Sequence, residues 1–327
     1  MTSPTHAEML CIHSFRALHP GPRLIVLGAV HGNETAGTRA IERVLGEIDS
    51  GALQIVRGTV TFVPITNPLA YKNRQRIGER NLNRNLRPAT DPHDNEDRIA
   101  NVLCPLLAQH DVLLDLHSFQ SSGEPFVMIG PPDNSGVLEP FGHAAREEAL
   151  ALRLGPRRIV EGWLATYAVG VNERLRRTPA TEYHQLLNTD PSYGVGTTEY
   201  MRSQGGYAMT LECGQHSDPR APEVGWRAIH NALAHLRLTE ESPPSARTDI
   251  EFLKLTEVVD RLHADDFFSR DWVSYDALRA GDLIATRADG TLVEAHEDGF
   301  IVFPNSVAAA GNEWFYVART SPRVLRG

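Results

Sequence analysis

The stretch Leu24-Ile-Val-Leu-Gly-Ala-Val30, followed at once by His31-Gly-Asn-Glu34, decides the fold. A continuous apolar run rich in branched side chains is the pattern of a strand buried on both faces. The polar turn ends the strand, and Ala36, Ala40, Ile41, Val44, Leu45 and Ile48 then recur at helical spacing. Strand, polar turn and helix in succession form one unit of an α/β fold. In an open α/β sheet, ligands bind at the strand ends.

Working outward, residues 59–65 (Thr-Val-Thr-Phe-Val-Pro-Ile) read as a second strand. Asn67-Pro68 then predicts a break followed by a loop. An amphipathic helix is expected over about 99–108, and Asp111-Val-Leu-Leu-Asp-Leu-His117 is a third buried strand with polar residues at its end. Helical spacing returns at 147–154 and 221–238, and residues 208–212 (Ala-Met-Thr-Leu-Glu) form a late strand. The polar, proline-rich segment around 239–248 is the best linker. The expected organisation is a catalytic domain over 1–240, a linker over 241–249 and a small antiparallel β domain over 250–327. In that last part, strand-like runs end in Asp-Gly at 289–290 and 298–299.

With 327 residues, 41% hydrophobic and 22% charged, the chain can bury more than one core. Its formal charge is -9, from 32 Lys and Arg against 41 Asp and Glu, and the basic residues are scattered. That pattern argues against nucleic acid and membrane surfaces as partners and favours a small molecule. Cys11, Cys104 and Cys213 are too few and too far apart for a disulfide framework or a CxxC unit, so they are expected to be reduced. The N-terminus lacks a basic flank before an apolar core, and no run of about 18 apolar residues occurs, so a cytoplasmic location is expected. A homo-oligomer is compatible with everything above.

His31 and Glu34 stand three apart at the end of a buried strand. In a chain with 14 histidines and 41 acidic residues, such a pair carries little weight alone. His117 adds to it, because it ends another buried strand just after Asp115, a carboxylate able to orient an imidazole ligand. Two histidines and one carboxylate make an open zinc site, with a fourth position for water or substrate. The competing reading makes His117 a core or surface histidine with a satisfied hydrogen bond. Arg76-Ile-Gly-Glu-Arg-Asn-Leu-Asn-Arg84 concentrates guanidinium and amide groups suited to gripping a carboxylate or an oxyanion. The competing reading there is a solvated basic loop.

Taken in order, Gly28 to Glu34, Arg76 to Arg84, Asp115-Leu-His117 and Thr210-Leu-Glu212 resemble the succinylglutamate desuccinylase and aspartoacylase family of the zinc carboxypeptidase superfamily. The resemblance spans roughly residues 20–235 and rests on the ordered set of motifs. It implies a mixed sheet flanked by helices, with a small C-terminal antiparallel β domain. It also implies one Zn2+ per chain held by His31, Glu34 and His117. Arg76 would polarise the scissile carbonyl, Asn83 and Arg84 would bind a substrate carboxylate, and Glu212 would be the catalytic carboxylate. The family usually reads Asp-Leu-Asn-Arg where this chain has Asn81-Leu-Asn-Arg84, so a negative charge near the site is missing.

The implied activity is zinc-dependent hydrolysis of the linear amide in an N-acyl amino acid or related acylated amine. Carboxypeptidase action on short peptides and a non-catalytic metal- or ligand-binding homologue are the alternatives. Cys213 lacks a flanking base and reads as structural. Lys72, Arg74 and Arg80 either line an acidic-substrate pocket or solvate the loop, and solvation is expected for at least two of them. Tyr193, Tyr200 and Tyr207 are expected mainly to pack, with a substrate lid as the alternative.

Overall fold

The computed structural model describes residues 9–185 and 189–326. In chain order the elements are β1 (His13–Arg16), β2 (Arg23–Leu27), α1 (Ala36–Asp49), β3 (Thr59–Val63), α2 (Pro68–Asn73), α3 (Asn95–Ala108), β4 (Val112–Phe119), β5 (Phe126–Met128), α4 (Ala144–Ala151), β6 (Arg158–Glu161), α5 (Trp163–Arg177), α6 (Thr197–Ser203), β7 (Tyr207–Gln215) and α7 (Ala221–His235). Strands then dominate: β8 (Glu251–Asp260), β9 (Phe267–Phe268), β10 (Ala277–Leu278), β11 (Leu283–Thr286), β12 (Leu292–Glu294), β13 (Gly299–Val302) and β14 (Glu313–Thr320).

Among the described residues, eleven strands make one mixed sheet in the order β1-β3-β2-β4-β7-β5-β6-β8-β14-β13-β10. Its centre, β3-β2-β4-β7, is parallel. Side chains of β2 alternate between two cores, as a doubly covered strand must. Leu24 and Val26 pack with Ile41 and Val44 of α1 and Ile229 and Leu233 of α7. Ile25 and Leu27 pack on the other face with Ile99 and Leu103 of α3 and Met201 of α6. The fold is therefore the expected mixed sheet between helices.

After irregular chain over 241–249, β8 pairs in parallel with β6 and carries β14, β13 and β10 onto the same sheet. The strands β12, β11 and β9 form a separate, antiparallel three-stranded sheet.

Local departures from the sequence reading have physical causes. Strand β2 stops at Leu27, and the chain turns through Ala29, whose φ of 47° is unusual for a residue with a Cβ. The loop after Asn67-Pro68 is delayed to residues 74–94. Pro68 instead opens the short helix α2, where a proline loses nothing because the first N–H has no partner, and the Asn67 side chain caps it by accepting from the Ala70 N–H. Helix α3 begins four residues earlier than periodicity indicates, because Asp94 accepts from the Asp97 N–H and sets the start.

Candidate active site

The turn after β2 delivers His31 and Glu34 to the C-terminal edge of the parallel strands, and β4 brings His117 to the same edge. Gly32 is required in this turn, since a Cβ there would stand 2.0 Å from the Ala70 backbone carbon. All three side chains are buried, and one ligand atom from each falls within 4.8 Å of the others. Glu34 sits between the rings. Its Oε1 lies 2.9 Å from His31 Nδ1, and its Oε2 lies 2.9 Å from His117 Nδ1.

The hydrogen bonds assign the tautomer of His31. Asn81 Oδ1 accepts from the Asn83 backbone N–H at 2.9 Å, a partner that can only donate, so the oxygen of that amide must face this way. The same oxygen lies 3.0 Å from His31 Nε2, which must therefore carry the proton. His31 Nδ1 is left as a lone pair, buried and without a hydrogen-bond partner despite its closeness to Glu34. A lone pair and a carboxylate converging with no proton between them suit two ligands of one cation. The donor set thus fits a divalent metal with nitrogen and oxygen preferences such as zinc.

Burial, reinforced by the nearby Arg76 charge, lowers the His31 pKa to about 4, keeping the ring neutral. Burial opposes ionisation of Glu34, yet the two imidazoles hold its carboxyl well below the usual range. His117 is also desolvated, but Asp115 and Glu34 outweigh that and push its pKa well above the ordinary value. Asp115 Oδ2 accepts from the Thr197 hydroxyl at 2.5 Å and lies 2.9 Å from His117 Nε2 without a hydrogen bond between them, so it places negative charge at the outer edge of this ring.

Glu212 enters through strand register. It is the direct neighbour of His117 across the β4–β7 ladder and of Phe126 on β5. Burial, helped by the negative charge of Glu34, raises its carboxyl to about 8, and its Oε2 has no hydrogen-bond partner. A buried carboxyl with a displaced pKa facing a cavity is a candidate proton carrier.

The arginine loop is shaped by a residue the sequence reading overlooked. Glu96, fully buried in the first turn of α3, accepts from the N–H groups of Gly78, Glu79 and Arg80 and from Asn67 Nδ2. That anchor presents Arg76 to Glu34 Oε1 at 2.8 Å. Asn83 Oδ1 accepts from the Thr197 N–H at 2.9 Å, which leaves its Nδ2 as the donor end. Arg84 lies over the Trp163 ring, 4.6 Å from its centroid.

Arg80 neither solvates the loop nor lines the cavity. It braces the loop through Asp94 and Asp97, each at 2.7 Å, and the Arg84 carbonyl. Lys72 and Arg74 are exposed. Tyr193, Tyr200 and Tyr207 all pack against apolar clusters, and Cys213 is buried among core residues, its thiol pushed up by burial.

His31, Glu34, Arg76, Asn83, Arg84, His117 and Glu212 line one cavity of about 320 Å³, which reaches past Trp163 to Glu313 and Tyr316 of β14. His216, also missed from sequence, lines it too. Its Nδ1 lies 2.8 Å from the Ser118 hydroxyl, one residue past His117. No motif surrounds His216 in the sequence, so only its place just after β7 reveals it.

Residues 20–129 match the model of the succinylglutamate desuccinylase/aspartoacylase catalytic domain. Over that segment the chain is similar to that family. Among curated relatives, a succinylglutamate desuccinylase of Vibrio cholerae is 25% identical over 297 residues, covering 88% of this chain and 78% of that protein. Among solved structures, a succinylglutamate desuccinylase/aspartoacylase from Rhodobacter sphaeroides superposes with a TM-score of 0.70 at 17% identity, covering 95% and 90% of the two chains. The product-bound ectoine utilization protein EutE (DoeB) from Ruegeria pomeroyi gives a TM-score of 0.67 at 19% identity, covering 94% and 88%. These structures share the fold. The family is one of hydrolases, and among the described residues no helix is long and apolar enough to cross a membrane.

Proposed function

We propose that this chain is a member of that family, a zinc-dependent deacylase that hydrolyses the amide bond of an N-acyl amino acid or a related acylated amine. The observation that carries this reading is the convergence of the unprotonated His31 Nδ1, the Glu34 carboxylate and His117, with Glu212 beside His117 in the same cavity. His31, Glu34 and His117 would hold one zinc ion. Zinc supplies a Lewis acid that lowers the pKa of a water molecule from about 15.7 toward about 7 and polarises a carbonyl.

The chain's own residues supply the rest. Positive charge on the cluster favours the ionised form of Glu212, which accepts the water proton and returns it to the departing amine. Arg76, half-exposed beside Glu34, meets negative charge as it grows on the carbonyl oxygen. Asn83 Nδ2 and the Arg84 guanidinium bind a substrate carboxylate.

The test combines metal analysis with amine release from N-acyl amino acids and dipeptides, for wild type, His117→Ala and Glu212→Ala. We expect about one zinc per wild-type chain, zinc lost in His117→Ala, and zinc kept with activity abolished in Glu212→Ala. A metal-free wild type hydrolysing as well as both variants would sink the assignment, and turnover of dipeptides alone would replace deacylation by carboxypeptidase action.

A further inference from the structure

Charges along the cavity wall are not those a di- or tricarboxylate needs. Three arginines line it, but Arg76 is held by Glu34, and Arg202 is buried among Glu139, Glu147 and Glu199. Among the described cavity residues, Arg84 is the guanidinium with no carboxylate in contact. Its side-chain bond goes to the Asn83 carbonyl, and its face rests on Trp163. One carboxylate is therefore what the wall can bind with full charge.

Glu313 lines the same cavity as this cation. The two groups sense each other electrostatically and make no direct ion pair, and among the described residues the cation touching Glu313 is Arg174, at a long 3.4 Å, whose guanidinium is committed to Asp260 by two shorter bonds. Although Glu313 is largely desolvated, Arg84 and Arg174 keep its carboxyl below the usual range, so it is ionised at neutral pH.

A β-bulge explains why Glu313 faces the cavity at all. Residues three apart on a regular strand point to opposite faces, but the register slips between Glu313 and Phe315, so Glu313 and Tyr316 both line the cavity while Trp314 and Phe315 enter a hydrophobic core. The Tyr316 hydroxyl beside it is buried and has no hydrogen-bond partner. A separated cation and anion beside an orphaned hydroxyl form a site for a ligand bearing both charges.

We infer that this cavity takes a mono-acylated diamino acid, its single carboxylate on Arg84 and its free ammonium on Glu313, in preference to N-acyl dicarboxylic amino acids. The inference rests on the deacylase reading above. It is tested on the zinc-loaded protein and E313Q with N-acetylornithine, N-acetylnorvaline and N-acetylglutamate, which share the acyl group and differ in side-chain charge.

Wild type should favour N-acetylornithine in kcat/KM by about tenfold or more over both others, the scale of one charge-assisted contact. E313Q should bring the ornithine-to-norvaline ratio close to one. A wild-type preference for N-acetylglutamate overturns the inference while leaving deacylation intact, as does a parallel fall for all three substrates in E313Q, which would make Glu313 a support for Arg84. If no amide is hydrolysed, the deacylase reading fails. Calorimetry with free ornithine, norvaline and glutamate then still decides the cavity's charge preference: ornithine should bind most tightly and lose that advantage in E313Q, and glutamate binding as well or better overturns it.

Discussion

Asn81 Oδ1 lies 3.0 Å from His31 Nε2 and accepts its proton, so a neutral amide orients a ring where the related family motif usually supplies a carboxylate. The acceptor is kept and the charge is not.

An amide polarises the ring less than a carboxylate, and partners of this kind typically change metal affinity by about 10–100-fold. Asn81→Leu should therefore weaken zinc binding within that range, whereas Asn81→Asp should tighten it. Chelator competition measures both, and equal affinity in wild type and Asn81→Leu would show that the contact does not orient the ring.

Glu212 makes the metal-free protein sensitive to alkaline pH. Its carboxyl is raised from 4.5 to about 8 by burial. Between those values the folded state keeps a proton that the unfolded state releases, so its contribution to stability is complete below about pH 4.5 and is lost as pH rises through about 8. Glu212→Gln cannot titrate. Its Tm, without metal, should fall less between pH 5 and pH 9 than that of wild type, and parallel profiles would contradict the shift.

Arg202 ties three carboxylates and the Ala208 carbonyl together in a largely buried cluster. Replacing it with Met strands that negative charge and should cost about 3–5 kcal/mol in denaturant-induced unfolding, the scale of breaking a buried ion pair. A loss below about 1 kcal/mol would mean that the carboxylates take up protons readily instead.

Gly32→Ala tests the turn. The added methyl would overlap the Ala70 backbone, which cannot swing aside like a side chain, so the turn itself must move. Zinc content should drop along with stability, by about the 1–3 kcal/mol typical of overpacking. Full zinc occupancy in this variant would show that His31 and Glu34 tolerate the shift.

The apolar run before His31 already contains the decision for a doubly covered strand, because Leu24 to Leu27 leave neither face polar. The helix that follows was equally legible from periodicity, as were β4 and β7. Boundaries were less legible where capping, not periodicity, sets them, as at Asp94 and Asn67. His31, Glu34, His117 and Glu212 stood out through their order along the chain, yet no spacing in sequence places residue 117 beside residue 212.

That placement is decided by the parallel register of β4 and β7, a pairing between distant segments. Other features also arise only when the chain is folded. Glu96 reaches back to three loop amides, Asn81 sets the proton on His31, and a slipped register in β14 turns Glu313 into the cavity. The sequence by itself determined which elements form and which residues carry chemistry, because apolar periodicity and residue type are local properties. Only the tertiary structure decided which charges meet in the cavity and which remain unpaired, because those depend on distances between segments that no local pattern encodes.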